Sequence, residues 1–205
     1  MNTAVNDRLI VRHAFEADAP VLASIMAEAI DWGRMRQLGH RFNTMVHRHM
    51  AKSEYAITYV AECNGEILGY AAGATDVSKF YREFLWRYGV PASLTLLPKV
   101  VRPSMLTAVI RGLTYFPDAY PDDPKAEMIS LAVRRHITRS GVGQAVMAAA
   151  TKEFKSRGIT TVKFGTVAVN NVAANKYYAR MGAVIVRTVP FYKDSTVNVY
   201  IYQIP

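Results

Sequence analysis

The chain has 205 residues, of which 51% are hydrophobic and 20% are charged, as expected for one packed domain. These values exclude a wholly disordered chain, and no apolar stretch approaches the roughly 20 residues that cross a bilayer. The 25 basic residues outnumber the 16 acidic ones and give a net charge of +9, which favours an anionic ligand or substrate. Because the basic residues are scattered, we predict no nucleic-acid partner.

The sequence predicts a cytoplasmic protein without a membrane partner. The start of the sequence, residues 1–7, shows no basic region followed by an apolar segment, so no secretory signal is expected. The single cysteine, Cys63, excludes an internal disulfide. We expect Cys63 to be a small, buried strand residue.

The periodicity of apolar residues predicts alternating strands and helices. In chain order we expect a strand over 9–15, helices over 19–30 and 33–52, strands over 56–62 and 67–74, a helical block over about 77–124, a strand over 125–133, a helix over 141–157, a strand over 160–168, a helix over 171–181, and strands over 183–192 and 196–204. Asn64-Gly65 predicts a tight hairpin. Four prolines, Pro91, Pro98, Pro103 and Pro117, are expected to divide the helical block.

This order of elements predicts an α/β fold in one domain over 1–205, a three-layer α/β/α sandwich around a mixed sheet. The block at about 77–124 is expected to be a helical insertion.

A glycine motif, Gly141-Val142-Gly143, joins a predicted strand to a predicted helix. Glycines at a helix start leave backbone N–H groups free to bind a phosphate or pyrophosphate. Close packing alone is an equally weighted explanation. The motif is not a P-loop, because Gln144 and Ala145 follow where Lys-Ser/Thr is required.

A second motif follows one helix and one strand later, at Asn171, Ala174, Tyr178 and Gly182. With both motifs in this order, the chain resembles the GCN5-related N-acetyltransferase (GNAT) family over 125–183. Two positions depart from the family pattern: Thr138 replaces Arg or Gln, and Ala183 replaces Phe.

The resemblance implies a splayed sheet, the acyl-CoA N-acyltransferase fold, with acetyl-CoA as co-substrate. Leu131, Ala132 and Val133 would offer backbone groups to the pantetheine arm, and Asn171 would bond to that arm. The pyrophosphate would lie on the amides of the loop formed by Arg139, Ser140, Gly141, Val142, Gly143 and Gln144. The alternative for all of these residues is ordinary strand and helix-cap structure.

The resemblance also implies two catalytic side chains. Tyr178 matches the general acid that protonates the leaving thiolate, and its alternative is an aromatic core residue. Glu127 lies where several members carry a carboxylate that takes a proton from the amine, directly or through water. Its alternative is an ion pair with a residue such as Lys125.

The histidines give no metal site. His47 and His49 are two residues apart, and a helix would direct them to different faces. His136 precedes the glycine loop and is expected to be a solvated loop residue.

The block at 77–116 carries six basic residues against one acidic residue, a net charge of +5. Its aromatic side chains could stack on a base or a sugar ring, and its arginines could clamp phosphate; the aromatics are Phe80, Tyr81, Phe84, Trp86, Tyr88, Tyr115 and Phe116. The pattern favours an anionic small-molecule amine such as a nucleotide-linked amino sugar, and it resembles acetyltransferases that accompany polysaccharide biosynthesis. The alternative is a helical cover whose aromatic side chains belong to the core and whose basic side chains are solvated.

Two functions therefore stand at the sequence level. One is an acetyl-CoA-dependent N-acetyltransferase in which an amine attacks the thioester directly, with a peptide or protein amine as the alternative acceptor. The other is a non-catalytic acyl-CoA-binding module. The sequence is compatible with a monomer or a homodimer.

Overall fold

A computed structural model describes residues 9–29, 38–100, 120, 122–137, 140–169, 171–192 and 195–205. These residues form seven strands: β1 (Ile10–His13), β2 (Ala56–Cys63), β3 (Glu66–Ala74), β4 (Glu127–Val133), β5 (Thr161–Val167), β6 (Val184–Tyr192) and β7 (Ser195–Gln203). The same described residues form five α-helices: α1 (Ala19–Ala29), α2 (His40–Lys52), α3 (Val77–Val100), α4 (Val142–Ser156) and α5 (Val172–Arg180).

The predicted strands and helices outside the block are confirmed, with bounds that differ by one or two residues. The second helix is the exception, because it begins at His40 and residues 33–37 lie outside the described ranges. Asn64 and Gly65 both have positive φ, 51° and 80°. This is the backbone of a two-residue type I′ turn, so the hairpin prediction is also confirmed.

The strands form one mixed sheet in the order β1-β2-β3-β4-β5-β7-β6. Every neighbouring pair is antiparallel except β4 and β5, which are parallel. A parallel pair needs a crossover connection, and α4 supplies it.

Helices cover the two faces of the sheet and define two hydrophobic clusters. On one face, which we call the α1/α2 face, α1 packs on β3 and β4 and α2 packs on β2, and the residues buried there include Tyr70, Ala72 and Ala132. On the other, the α4/α5 face, Val146 and Phe154 of α4 pack over β2 and β3.

Glycines in β3 allow the close approach of α4 to the sheet. A Cβ at Gly73 would lie 2.8 Å from Cζ of Phe154, and one at Gly69 would lie 2.9 Å from Cγ1 of Val142. Larger residues there would push the helix away from the sheet, and with it the glycine loop at the helix start.

Two of the four prolines do not divide the helical block as predicted. Helix α3 runs unbroken through Pro91 and Pro98, although proline lacks the N–H of a helical hydrogen bond. Ala92 and Leu96, beyond the first proline, are buried. Pro103 and Pro117 lie outside the described residues. None of the described helices is long and apolar enough to span a membrane.

Candidate active site

The two parallel strands at the centre of the sheet separate soon after they meet. β4 and β5 are paired only at Glu127 with Lys163 and at Met128 with Phe164. Beyond that point β4 continues to Val133 and β5 to Val167 without further pairing. The result is a gap in the sheet, which we call the β4–β5 gap, with its closed end beside Glu127.

The backbone of β4 directs unpaired groups into this gap. The N–H of Arg134 donates to the carbonyl of Leu68 on β3, and Ala132 is the register partner of Tyr70 on the same strand. Backbone groups alternate sides along a strand, so those of Leu131 and Val133 lie on the gap side. Of the three residues predicted to bind the pantetheine arm, Leu131 and Val133 therefore have groups available to it, while those of Ala132 pair with β3.

The glycine loop ends where α4 begins, close to the end of β4: a Cβ at Gly143 would lie 3.4 Å from Cγ2 of Val133. Gly141 has φ of 86° and ψ of −9°, a left-handed conformation, and its carbonyl starts the helix by accepting from the N–H of Ala145. The first N–H groups of a helix have no acceptor within it, so those of Val142, Gly143 and Gln144 are available to a ligand. Ser140 instead donates its hydroxyl to the carbonyl of Ile137. Arg139 lies outside the described residues.

The Asn171 side chain is held by its own fold. It caps α5 by accepting from the N–H of Ala174, and its amide nitrogen donates to Oγ1 of Thr166 at 2.9 Å. This is the helix-cap role that the sequence offered as the alternative to a pantetheine contact. Binding of the pantetheine arm by Asn171 stays a prediction.

Tyr178 belongs to α5 and faces the sheet, close to the point where the strands separate. Its side chain is buried, with the ring centroid 4.9 Å from that of Phe164 and 5.5 Å from that of Tyr200. Phe164 is the last residue of β5 that pairs with β4. Burial raises the pKa of Tyr178, and the neighbouring Tyr177 and Tyr200 add to this effect. The phenol is therefore protonated at neutral pH, the state that a general acid requires before it donates.

Glu127 lies at the closed end of the gap, on the opposite face of the sheet from Tyr178. Its register partner on β3, Ala74, belongs to the cluster under α1 and α2, whereas Tyr178 belongs to the cluster under α4 and α5. Burial raises the pKa of Glu127, and the ammonium of Lys163, 3.5 Å from Oε2, opposes this rise in part. The carboxylate is thus a stronger base than an exposed glutamate.

A charged cluster surrounds Glu127. Lys163 is 5% exposed and contacts both Glu127 and Asp123, and the Asp123 carboxylate also receives two hydrogen bonds from Arg187. Burial alone would raise the pKa of Asp123, but the Arg187 hydrogen bond and the Lys163 charge hold it below its usual range. Glu127 therefore forms an ion pair, as its alternative interpretation predicts, but its partner is Lys163 and not Lys125.

Sequence reasoning did not single out Lys163, Asp123 or Arg187. The available signal was the lysine itself, which interrupts an apolar strand at Thr-Val-Lys-Phe-Gly. Lysine is almost never fully buried unless it is paired, so a lysine within a core strand indicates a buried carboxylate nearby.

The aromatic residues of α3 that the structure describes do not form one stacking surface, and the prediction is wrong for two of them, Phe80 and Phe84. Phe80 and Phe84 are buried in the core beside α2, because the helix turns them inwards, whereas Trp86 is 89% exposed. Arg87 is paired with Glu83 at 2.8 Å. Arg102, Arg111, Tyr115 and Phe116 lie outside the described residues.

No group of three or more His, Cys, Asp or Glu side chains within the described ranges could hold a metal ion. His47 and His49 are both buried in the core. His47 bonds to the carbonyl of Asn43 and to the hydroxyl of Tyr70, and His49 bonds to the carbonyl of Phe80.

A mixed seven-stranded sheet that opens between its parallel strands, with a glycine-started helix beside the opening, defines the acyl-CoA N-acyltransferase fold. The family model described as "Acetyltransferase (GNAT) family" matches residues 25–183. The chain belongs to this family and is an acetyltransferase of the GNAT type.

Solved structures of other proteins share this fold. Ard1 from Thermoplasma volcanium is 16% identical with a TM-score of 0.62, over 97% of this chain and 99% of that one. An N-acetyltransferase from Staphylococcus aureus Mu50 is 16% identical with a TM-score of 0.62, over 96% and 99% of the two chains. The ribosomal-protein-S18-alanine N-acetyltransferase from Escherichia coli is 14% identical with a TM-score of 0.60, over 96% and 94%. No curated protein sequence matches the chain.

Proposed function

We propose that this protein transfers the acetyl group of acetyl-CoA to a primary amine by direct attack of the amine on the thioester. The observation that carries the proposal is the β4–β5 gap, with a candidate base and a candidate acid on opposite faces at its closed end. This arrangement suits an amine that arrives from one face and a thiolate that leaves towards the other.

The residues around the gap fit acetyl-CoA. Unpaired groups of Leu131 and Val133 can bond to the pantetheine amides, as an added strand would. The open space at Gly141 and the free N–H groups that follow it suit a pyrophosphate. Bound acetyl-CoA supplies the thioester carbonyl to be attacked.

One side chain takes up a proton during the reaction, and another supplies one. A bond forms between the amine nitrogen and the carbonyl carbon, and the bond between that carbon and sulfur breaks. Glu127 takes the proton that the amine loses, directly or through a water, and Tyr178 gives its phenolic proton to the departing sulfur.

The acceptor is proposed to be an anionic small-molecule amine, such as a nucleotide-linked amino sugar. A depression of about 280 Å³ is lined by Glu54, Tyr55, Lys79, Arg82, Glu83 and Trp86. Arg82 and Lys79 offer cations there beside an exposed indole. The N–H of Thr75, the residue after Ala74, donates to the carbonyl of Tyr55, so this depression lies at the Glu127 end of β3.

We also propose that residues 77–124 form the acceptor side of a single domain. Helix α3 packs through Phe80 and Phe84 against α2, which belongs to the Glu127 face of the sheet.

One assay tests the reaction and the acceptor class together. Release of CoA thiol from acetyl-CoA should follow addition of one member of a panel that contains a UDP-linked amino sugar, the free amino sugar, spermidine and an alanine-initiated peptide. A thermal shift with acetyl-CoA but no thiol from any amine would instead indicate a binding module. Preference for the peptide would overturn the small-molecule acceptor alone.

The Glu127 carboxylate should set the acid limb of the rate profile. A base works only when ionised, so kcat/KM should fall as pH drops through its raised pKa, and Glu127→Gln should remove this fall. Lys163→Met should move the acid limb to higher pH, because the carboxylate loses its stabilising cation. Lys163→Arg keeps the charge and should retain the wild-type limb, as should the exposed control Lys152→Met. An acid limb unchanged in Glu127→Gln would reject this base.

Arg82→Glu should raise KM for the UDP-linked amino sugar about 10-fold, because a charge-assisted phosphate contact is lost, and leave KM for the free amino sugar unchanged. Arg82 is chosen over the nearby Arg87 because Arg87 is already paired with Glu83. Lys152→Glu makes the same kind of charge reversal on α4, across the sheet, and is the matched control. Equal effects of Arg82→Glu on both substrates would leave α3 as a structural cover.

A further inference from the structure

A chain of buried hydrogen bonds runs from α2 to the edge of the β4–β5 gap. Nδ1 of His47 lies 2.8 Å from the carbonyl oxygen of Asn43, and Nε2 lies 2.8 Å from the hydroxyl of Tyr70. The same hydroxyl lies 2.8 Å from Oγ of Ser130 on β4. His47 is 1% exposed and Tyr70 is fully buried, so bulk water does not compete for the two bonds of His47.

The direction of every bond in this chain follows from its first acceptor. A carbonyl oxygen only accepts, so the hydrogen must be on Nδ1 of His47. Burial lowers the pKa of His47 to about 4, which leaves the ring neutral and Nε2 without a hydrogen. Tyr70 must then donate to Nε2. Because the only hydrogen of the Tyr70 hydroxyl is used in that bond, its oxygen accepts a hydrogen bond from the Ser130 hydroxyl.

These bonds restrict the Ser130 hydroxyl to accepting hydrogen bonds from any further group. A serine hydroxyl is ordinarily both a donor and an acceptor, but here its only hydrogen is committed to Tyr70. The remaining lone pairs of Oγ can only accept. No other hydrogen bond of this hydroxyl is found within the described residues.

Ser130 is placed where a substrate would use that acceptor. It lies two residues beyond Met128, the last β4 residue that pairs with β5, and is only partly buried. A bulge at Ile129 directs it: Ser130 pairs with Ala72 and Met128 with Gly73, so one extra residue lies between them on β4. Ser130 therefore shares the α1/α2 face with Glu127, the face assigned above to the amine.

We infer that Ser130 is an acceptor-only hydrogen-bond group that binds and orients an N–H of the attacking amine, and that Tyr70 and His47 are positioning residues that fix its polarity. This inference rests on the proposed acetyl transfer and names a further residue for it. An amine held by one N–H presents its lone pair in a defined direction, while its other proton is left for Glu127. An alcohol acceptor could also bond to Ser130, but with the single hydrogen that the base must remove.

The direct test compares Ser130→Ala with wild type on whichever amine of the panel above is acetylated. Loss of one hydrogen bond to the substrate should raise KM for the amine about 10-fold. The acetyl-CoA thermal shift and the position of the acid limb should not change, because Ser130 neither holds the thioester nor titrates. Ser130→Thr keeps the hydroxyl and should restore most of the affinity. Thr58→Val removes another buried hydroxyl, one bonded to the carbonyl of Met50 on α2, and should leave KM unchanged.

The direction of the hydrogen bonds from His47 through Tyr70 to Ser130 can be measured separately. In ¹⁵N NMR spectra, His47 should show the hydrogen on Nδ1 throughout the range from about pH 6 to pH 9, with a hydrogen-bonded Nε2. Tyr70→Phe should shift the Nε2 resonance and raise KM for the amine, since Ser130 is then free to turn its hydrogen towards the gap. A hydrogen on Nε2 in wild type would overturn the assigned direction. Wild-type KM in Ser130→Ala would overturn the binding role alone, whereas no thiol release from wild type with any amine would overturn the proposed function and this inference together.

Discussion

Replacing Tyr178 by phenylalanine should lower kcat by about 10²- to 10⁴-fold, the range expected when a general acid is lost. The phenol is buried beside Phe164 and Tyr200, and its raised pKa keeps the proton available until sulfur departs. The hydroxyl forms no hydrogen bond with any residue that the structure describes, so its removal should cost little stability. Single-turnover thiol release measures the chemical step, and an acetyl-CoA thermal shift measures binding of the co-substrate separately.

Tyr177→Phe is the matched control for this experiment. The two tyrosines are adjacent on α5 with ring centroids 5.8 Å apart, but Tyr177 is only half-buried. It should retain nearly wild-type kcat. Full activity in Tyr178→Phe would assign Tyr178 to the hydrophobic core, as its alternative interpretation holds.

The double replacement of Gly141 and Gly143 by valine should abolish the acetyl-CoA thermal shift. A ligand at about 100 times its Kd stabilises a protein by about 2.7 kcal/mol, so the loss is easily measured. Valine at Gly141 disfavours the left-handed backbone that opens α4, and valine at Gly143 places a Cβ 3.4 Å from Cγ2 of Val133. Both changes bring side chains to the N–H groups proposed to hold the pyrophosphate.

A control for backbone strain exists at the other end of the same helix. Gly158 has φ of 77°, close to that of Gly141, and a Cβ there would also meet open space. Gly158→Val should therefore cost a similar amount of stability, about 1–2 kcal/mol, and keep the acetyl-CoA shift. A shift that survives in the folded Gly141/Gly143 variant would exclude this loop as the pyrophosphate site.

Most of the strand and helix order was predictable because local patterns encode it. The Asn64-Gly65 turn needs two residues that tolerate positive φ, and this pair is the commonest solution. Asn171 and Gly182 bracket α5 for equally local reasons, since one caps its start and the other takes φ of 87° after its end. Two positions of the second family motif, Asn171 and Gly182, are therefore explained by how α5 begins and ends.

The helical block shows where such patterns fail. Its prolines suggested several helices, yet α3 continues past Pro91, and Ala92 and Leu96 beyond this proline are buried. Its aromatic residues suggested a stacking surface, but helical rotation places Phe80 and Phe84 in the core and Trp86 in solvent. A list of residue types does not say which face of a helix is covered.

The sequence by itself determined the fold class, the family and the two motifs, because periodicity, turn chemistry and glycine positions act over a few residues. Only the tertiary structure decided which groups meet at the gap. Glu127 and Lys163 are 36 positions apart along the chain and come together through the pairing of β4 with β5. Ser130 acquires a fixed polarity from Tyr70 and His47, which lie on a different strand and a helix. Burial and hydrogen-bond direction depend on neighbours that are distant in sequence, and no local pattern contains them.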